Sequence, residues 1–198
     1  TFSDLCSHPA LQGYSIELGI IERCSHVFDA VLQQTSSSLI LQTLFAADPQ
    51  VMRSWYAEGV TFAFVNAAAK SALRSILRTS GALQNQHQLQ ILELGGGTAG
   101  LTVHLLDELH AGPAKFMYKF SDISQTFLAE AQAMFAGDPF VVYAKIDASK
   151  PLIVQGIAPA SLDIVVASNV LHDARLPDAV VHIYDVLRPG GVLLAVEL

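Results

Sequence analysis

The chain has 198 residues, of which 52% are apolar and 15% charged, and eighteen acidic side chains against eleven basic ones leave a net charge of −7. This apolar content excludes a disordered chain, and with no basic stripe there is nothing to release counterions from a nucleic acid. A membrane span takes about 20 continuous apolar residues, whereas the longest charge-free stretch, residues 30–47, is interrupted by Gln33, Gln34 and Ser36-Ser37-Ser38. No basic start followed by an apolar run marks a secretory leader. Cys6 and Cys24 are too few for a disulfide scaffold or a zinc cage, so each reads as a small apolar filler. The expectation is a cytoplasmic globule with no membrane, nucleic-acid or metal partner.

The first part of the chain reads as helical. Between residues 16 and 34, Ile16, Ile20, Ile21, Cys24, Val27, Phe28, Val31 and Leu32 recur in steps that put one stripe on one helix face. A second helix is predicted near Asp48-Pro49, with Asp as N-cap and Pro in the first turn. A third covers residues 61–78 until Ser80-Gly81 stops it. The aromatic set Trp55, Tyr56, Phe62 and Phe64 reads as helix packing. Residues 81–90 form a polar connection.

From residue 89 short strands alternate with helices. Strands are predicted at 89–94 (LQILEL), 115–122 (KFMYKFSD), 140–147 (FVVYAKID), 162–169 (LDIVVASN) and 191–198 (GVLLAVEL). Helices are predicted at 100–110, 124–135 and 177–187. This alternation implies an α/β fold, a doubly wound, mostly parallel Rossmann-like sheet with right-handed crossovers.

Gly95-Gly96-Gly97-Thr98-Ala99-Gly100 matches G-x-G-x-x-G between a strand and a helix. Glycines there allow positive φ and close approach of a ligand to the backbone, but dinucleotide enzymes share the pattern. Glu93, at the end of the first strand, is expected to face the crevice. A carboxylate there suits an ammonium group and opposes a pyrophosphate. Asp122 ends the second strand, where an acid accepts bonds from ribose hydroxyls, and Asp147 ends the third, within reach of an adenine amino group. Together the three acids outline S-adenosylmethionine better than NAD, although Asp122 and Asp147 also suit plain strand-end caps. His172 follows the fourth strand and Glu197 ends the fifth. On neighbouring strands about 4.8 Å apart they can meet as a general base and its orienting carboxylate.

ILELGGGTAGLT (91–102), YKFSDISQTFL (118–128), PFVVYAKID (139–147), IVVASNVLH (164–172) and LRPGGVLLAVE (187–197) resemble the class I methyltransferase domains of polyketide synthases, most closely the C-methyltransferase type. The resemblance implies a helical lid over residues 1–85 and an S-adenosylmethionine-binding core over residues 86–198. It places Gly95, Gly96, Gly97 and Thr98 around the cofactor, with Glu93 near its methionine end. Asp122 and Ile123 fall at the ribose, Asp147 and Ala148 at the adenine, and Asn169 near the sulfonium. His172 and Glu197 fall on the catalytic pair. The activity implied is methylation of the α-carbon of a β-ketoacyl thioester on an acyl carrier protein, within a synthase of flanking domains. O-methylation of a β-hydroxyl or enol oxygen, or a structural domain without activity, are the alternatives. Two departures stand out: Asp173-Ala174 replaces the usual Ala-Thr after the histidine, and Ser149 stands where an acid is often found. The class normally adds two strands more, so the core is expected to be truncated after strand five.

Overall fold

The computed structural model describes residues 4, 6–26, 28, 32, 49–79 and 87–197. It divides into two compact units, Thr1–Asn66 and Ala67–Leu198. Among the described residues no helix is long and apolar enough to cross a membrane.

In the first unit a 3-10 turn (Pro9–Tyr14) leads into α1 (Ser15–Ser25), followed by α2 (Pro49–Glu58) and the start of α3 (Val60–Thr79). Ile20 and Met52 form its small core, with Cys24 and Trp55 packed against them. Trp55, Tyr56 and Phe62 meet with ring centroids 4.7–5.3 Å apart. Two side chains close the turns. Glu17 accepts the Val60 amide at 2.6 Å, satisfying the first donor of α3, and Asn66 donates to the last carbonyls of α2, Tyr56 O and Ala57 O. Several expectations fail here. Ile21, Phe28 and Leu32 are exposed, so the predicted stripe does not bury as one face. Phe64 is 78% exposed and leaves the aromatic set, and Cys6 is exposed rather than a core filler. The expected cap Asp48 and the Ser80-Gly81 stop lie outside the described residues.

The second unit is built on five parallel strands in the order β3-β2-β1-β4-β5. They are β1 (Leu89–Leu94), β2 (Phe116–Asp122), β3 (Val141–Lys145), β4 (Leu162–Ser168) and β5 (Leu187–Val196), connected through α4 (Gly100–Ala111), α5 (Gln125–Met134) and α6 (Leu176–Val186). The chain winds outward from β1 to β3, then returns to the other side of β1 with β4. The crevice of such a sheet lies where that order reverses, at the carboxyl ends of β1 and β4.

Side chains alternate across a strand, and this sorts the core into two layers. Leu89, Ile91, Tyr118, Phe120, Ile164 and Val166 pack under α3, α4 and α5 through residues such as Leu73, Leu105 and Leu128. Leu92, Leu94, Val165 and Ala167 pack on the opposite face against Ala179, Ile183 and Val186 of α6. The second half of α3 therefore belongs to the sheet layer.

Two strand limits differ from expectation. β3 ends at Lys145, which leaves Asp147 in the following loop. β5 starts at Leu187, ahead of the predicted 191, because Leu187 pairs with Leu162. A register irregularity follows, with Gly190 at φ +81°, and regular pairing resumes at Val192. A bulge thus keeps Arg188-Pro189-Gly190-Gly191 within the strand.

Candidate active site

The glycine turn is tied to the end of β2. Gly96 N–H donates to Ser121 O and Gly97 N–H to Asp122 Oδ2, both at 2.9 Å. Gly95 and Gly97 have φ of +61° and +53°, and Ala99 adopts +63° just before α4. A Cβ at Gly95 would stand 2.3 Å from Val170 Cγ2, and one at Gly96 would stand 2.2 Å from the Phe120 ring. At Gly97 nothing but Gly95 O comes within 4 Å, so the turn is open there to an approaching ligand. Thr98 is buried beside it.

Asp122 is 6% exposed, and its oxygens accept the amides of Gly97 and Ser124 at 2.9 and 2.7 Å. Each oxygen keeps a second lone pair for a ligand hydroxyl. Ile123, immediately beyond, is 61% exposed and gives the loop an apolar surface. Ser124 accepts the Phe127 amide and starts α5.

Glu93 does not face the crevice as expected. It shares its side of β1 with Ile91, and that side lies under α4. Its carboxylate is 1% exposed and accepts the hydroxyls of Thr102 at 2.7 Å and Tyr118 at 3.0 Å. Burial pushes its carboxyl up from 4.5 to about 7; the two hydroxyls oppose the rise and the Asp122 charge adds to it. Ser121 Oγ donates to Glu93 O at 2.5 Å and locks β1 to β2. Glu93 thus supports the turn from beneath. Thr102, Tyr118 and Ser121 were absent from the sequence-based site. The strand period and the β1–β2 register were the signals that could have located Tyr118.

Asp147 lies in the loop after β3, next to Ile146, whose amide donates to Asp122 O at 3.3 Å. The Asp147 carboxylate pairs with Lys150 Nζ at 2.8 Å and accepts Ser149 Oγ at 2.6 Å, which together hold it down at about 2. Gln155 anchors its backbone through bonds of 2.8 and 2.9 Å. Ala148 is buried in the α6-side layer.

At the ends of β4 and β5 the pairing continues for one more bond, Asn169 N–H to Val196 O at 2.8 Å. Asn169 then takes φ +52° and turns the chain. Glu197 Oε1 accepts the amides of Val170 and Leu171 at 3.1 and 2.9 Å, while Oε2 meets His172 Nδ1 at 2.5 Å. The carboxylate thus holds both the loop and the ring. The bond from Glu197 raises the His172 pKa. Burial works against ionisation of Glu197, yet the bonds from His172, Leu171 and Val170 keep its carboxyl below its usual value. The His172 side chain is 54% exposed, so its Nε2 edge is accessible.

The site fits the cofactor that the acids outlined. Asp122, beside the turn, accepts the Gly97 and Ser124 amides and keeps further lone pairs for a ligand. Those lone pairs suit the ribose hydroxyls that S-adenosylmethionine carries. The backbone opening at Gly97 leaves room for it.

A family model for a methyltransferase domain matches residues 92–193. The polyketide synthase ThaG of Burkholderia thailandensis is 43% identical over 113 residues, covering 56% of this chain and 2% of that protein. The CurJ carbon methyltransferase superposes with a TM-score of 0.82 at 26% identity, covering 97% of this chain and 49% of that one. The trans-methyltransferase CalH, solved with S-adenosylhomocysteine, shares the fold with a TM-score of 0.73 at 24% identity, covering 92% of this chain and 48% of that one. The chain therefore spans about half of these solved domains and a small part of the synthase. With the family match extending over more than half of its residues, the chain belongs to the methyltransferase domain family, with a class I fold, and is similar in sequence to polyketide synthases.

Proposed function

We propose that the chain methylates the α-carbon of a β-ketoacyl thioester presented by an acyl carrier protein, with His172 as the base. The observation that carries this reading is the His172–Glu197 contact of 2.5 Å beside a half-exposed imidazole edge. A β-keto thioester acidifies its α-proton, which brings removal within reach of an imidazole. Nε2 takes that proton, Nδ1 stays bonded to Glu197, and the carboxylate stabilises the imidazolium that forms. The proton then leaves through the exposed edge to solvent. When bound, S-adenosylmethionine supplies the electrophilic methyl group that the α-carbon takes.

In this reading Gly95, Gly96, Gly97 and Thr98 cradle the cofactor, and Asp122 and Ile123 hold its ribose. Asp147 and Ala148 lie at the adenine, Asn169 near the sulfonium, and Glu93 supports the turn from below. Residues 1–85 serve as lid and residues 86–198 as catalytic core, in a cytoplasmic synthase whose flanking domains bring the carrier protein. The test is transfer of a labelled methyl group to carrier-bound β-keto and β-hydroxy thioesters, with products resolved by mass spectrometry. Label on the α-carbon of the β-keto chain supports the reading. Label on oxygen would establish O-methylation in its place, and no transfer with no cofactor binding would point to a structural role.

A further inference from the structure

His172 has a carboxylate on each edge. Nδ1 meets Glu197 Oε2 at 2.5 Å, and Nε2 lies 3.6 Å from Asp173 Oδ2. The first is a hydrogen bond, whereas 3.6 Å is a contact between charges. The acids are also mounted differently. Glu197 is fixed by the Val170 and Leu171 amides, while the Asp173 side chain is 85% exposed. The cation of the same loop, Arg175, is paired with Asp178 at 3.6 Å. The charges facing the imidazole are therefore Glu197, from the end of β5, and Asp173, from its own loop.

Nε2 is the edge left for substrate, and it is the edge Asp173 stands on. We propose that Asp173 is a positioning residue, which stands across the Nε2 edge opposite Glu197 and must yield that edge before His172 acts as a base. An imidazolium has no lone pair to accept a proton. A protonated ring must first pass its Nε2 proton to solvent as Asp173 turns away, and the neutral ring then faces the substrate. The inference rests on the proposed role of His172 as base. It identifies Asp173 as a residue that, after Glu197, raises the pH at which this base becomes available.

The test is an NMR titration of the histidine rings in the full chain and in Asp173→Asn, with His172→Ala identifying its signals among the seven histidines. The His172 midpoint is expected to fall by about half a pH unit in Asp173→Asn, and the difference to shrink as salt is added, as for any exposed charge pair. The acid limb of kcat/KM for methyl transfer should move to lower pH by the same amount, and Asp173→Glu should restore both. A His172 midpoint within about 0.1 unit of wild type in Asp173→Asn, at low ionic strength, overturns the proposal. The titration needs no substrate, so it separates the two ideas. Full turnover by His172→Ala would refute the base assignment while leaving the response of the ring to Asp173 measurable.

Discussion

Gly95 lies so close to Val170 that a β-carbon added to the glycine would stand 2.3 Å from Val170 Cγ2. Val170 is two residues from His172, and its amide is one of those held by Glu197. The turn that approaches the cofactor and the loop that carries the base are thus packed against each other, and each limits where the other can move.

Gly95→Ala should therefore affect both. The new methyl meets Val170, and the residue must also keep φ +61°. Overpacking of this kind costs about 1–3 kcal/mol, and the left-handed backbone adds about 1–2 more. Calorimetry with S-adenosylhomocysteine is expected to show at least about a tenfold loss of affinity, equal to about 1.4 kcal/mol, together with a lower Tm. Wild-type affinity and stability in this variant would show that the contact is not limiting.

His172→Ala is expected to lower methyl transfer by about 10²–10⁴-fold, the usual contribution of a positioned base, with cofactor affinity nearly unchanged. Because Glu197 raises the His172 pKa, the wild-type rate should fall on the acid side with a midpoint above the ordinary 6.5. Glu197→Gln should move that limb to lower pH. An acid limb unmoved by Glu197→Gln would separate the carboxylate from the titration of the ring.

Asp122→Asn removes the charge but keeps the shape. Hydrogen bonds to charged groups contribute about 1.5–3 kcal/mol, so cofactor affinity should drop by about 10–100-fold. The carboxylate also accepts the Gly97 and Ser124 amides, so a modest decrease in Tm should accompany the loss. A variant that kept full affinity would exclude Asp122 from the ribose.

Glu93 makes stability depend on pH. Its folded pKa of about 7 lies above the ordinary 4.5, so the folded state binds the proton more tightly than the unfolded chain. The stabilising contribution is complete below pH 4.5 and is lost as pH rises through about 7. A shift of this size corresponds to about 3 kcal/mol, without discount for solvent because the group is buried. Glu93→Gln carries no such charge. Denaturant titrations from pH 5 to 8 (a range of about 3 units spanning the transition) should show wild type losing about this much relative to the variant. Parallel pH profiles would mean that Glu93 stays ionised throughout.

Much of the sheet is legible in the sequence. Strand and helix signals repeat along residues 89–197 at spacings that parallel crossovers require, and the Gly95–Gly100 turn falls between a strand and a helix. The pairing of His172 with Glu197 was also legible, because both follow strands that become neighbours when the chain crosses back beside β1. The orientation of Glu93 was less accessible. A crevice-facing and a helix-facing carboxylate have the same local sequence, and only the layer shared with Ile91 separates them. Asp147 was placed at a strand end, but β3 stops at Lys145, and Ser149 and Lys150 engage its carboxylate. In the first unit the helical period matches the buried Ile20, yet Ile21, Phe28 and Leu32 are exposed, since periodicity identifies a face but not what covers it.

By itself the sequence determined the order of strands and helices, the glycine turn and which acids stand near strand ends. These follow from local rules: alternation along strands, and backbone freedom at glycine. Only the tertiary structure decided which way each acid points and what it meets: Glu93 toward Thr102 and Tyr118, Asp122 toward Gly97, and Glu197 toward both His172 and its loop. Those partners lie 9–27 residues away in the chain. Register and the packing of α4 over β1 bring them together, and these are set by burial across the whole unit rather than by neighbours in the chain.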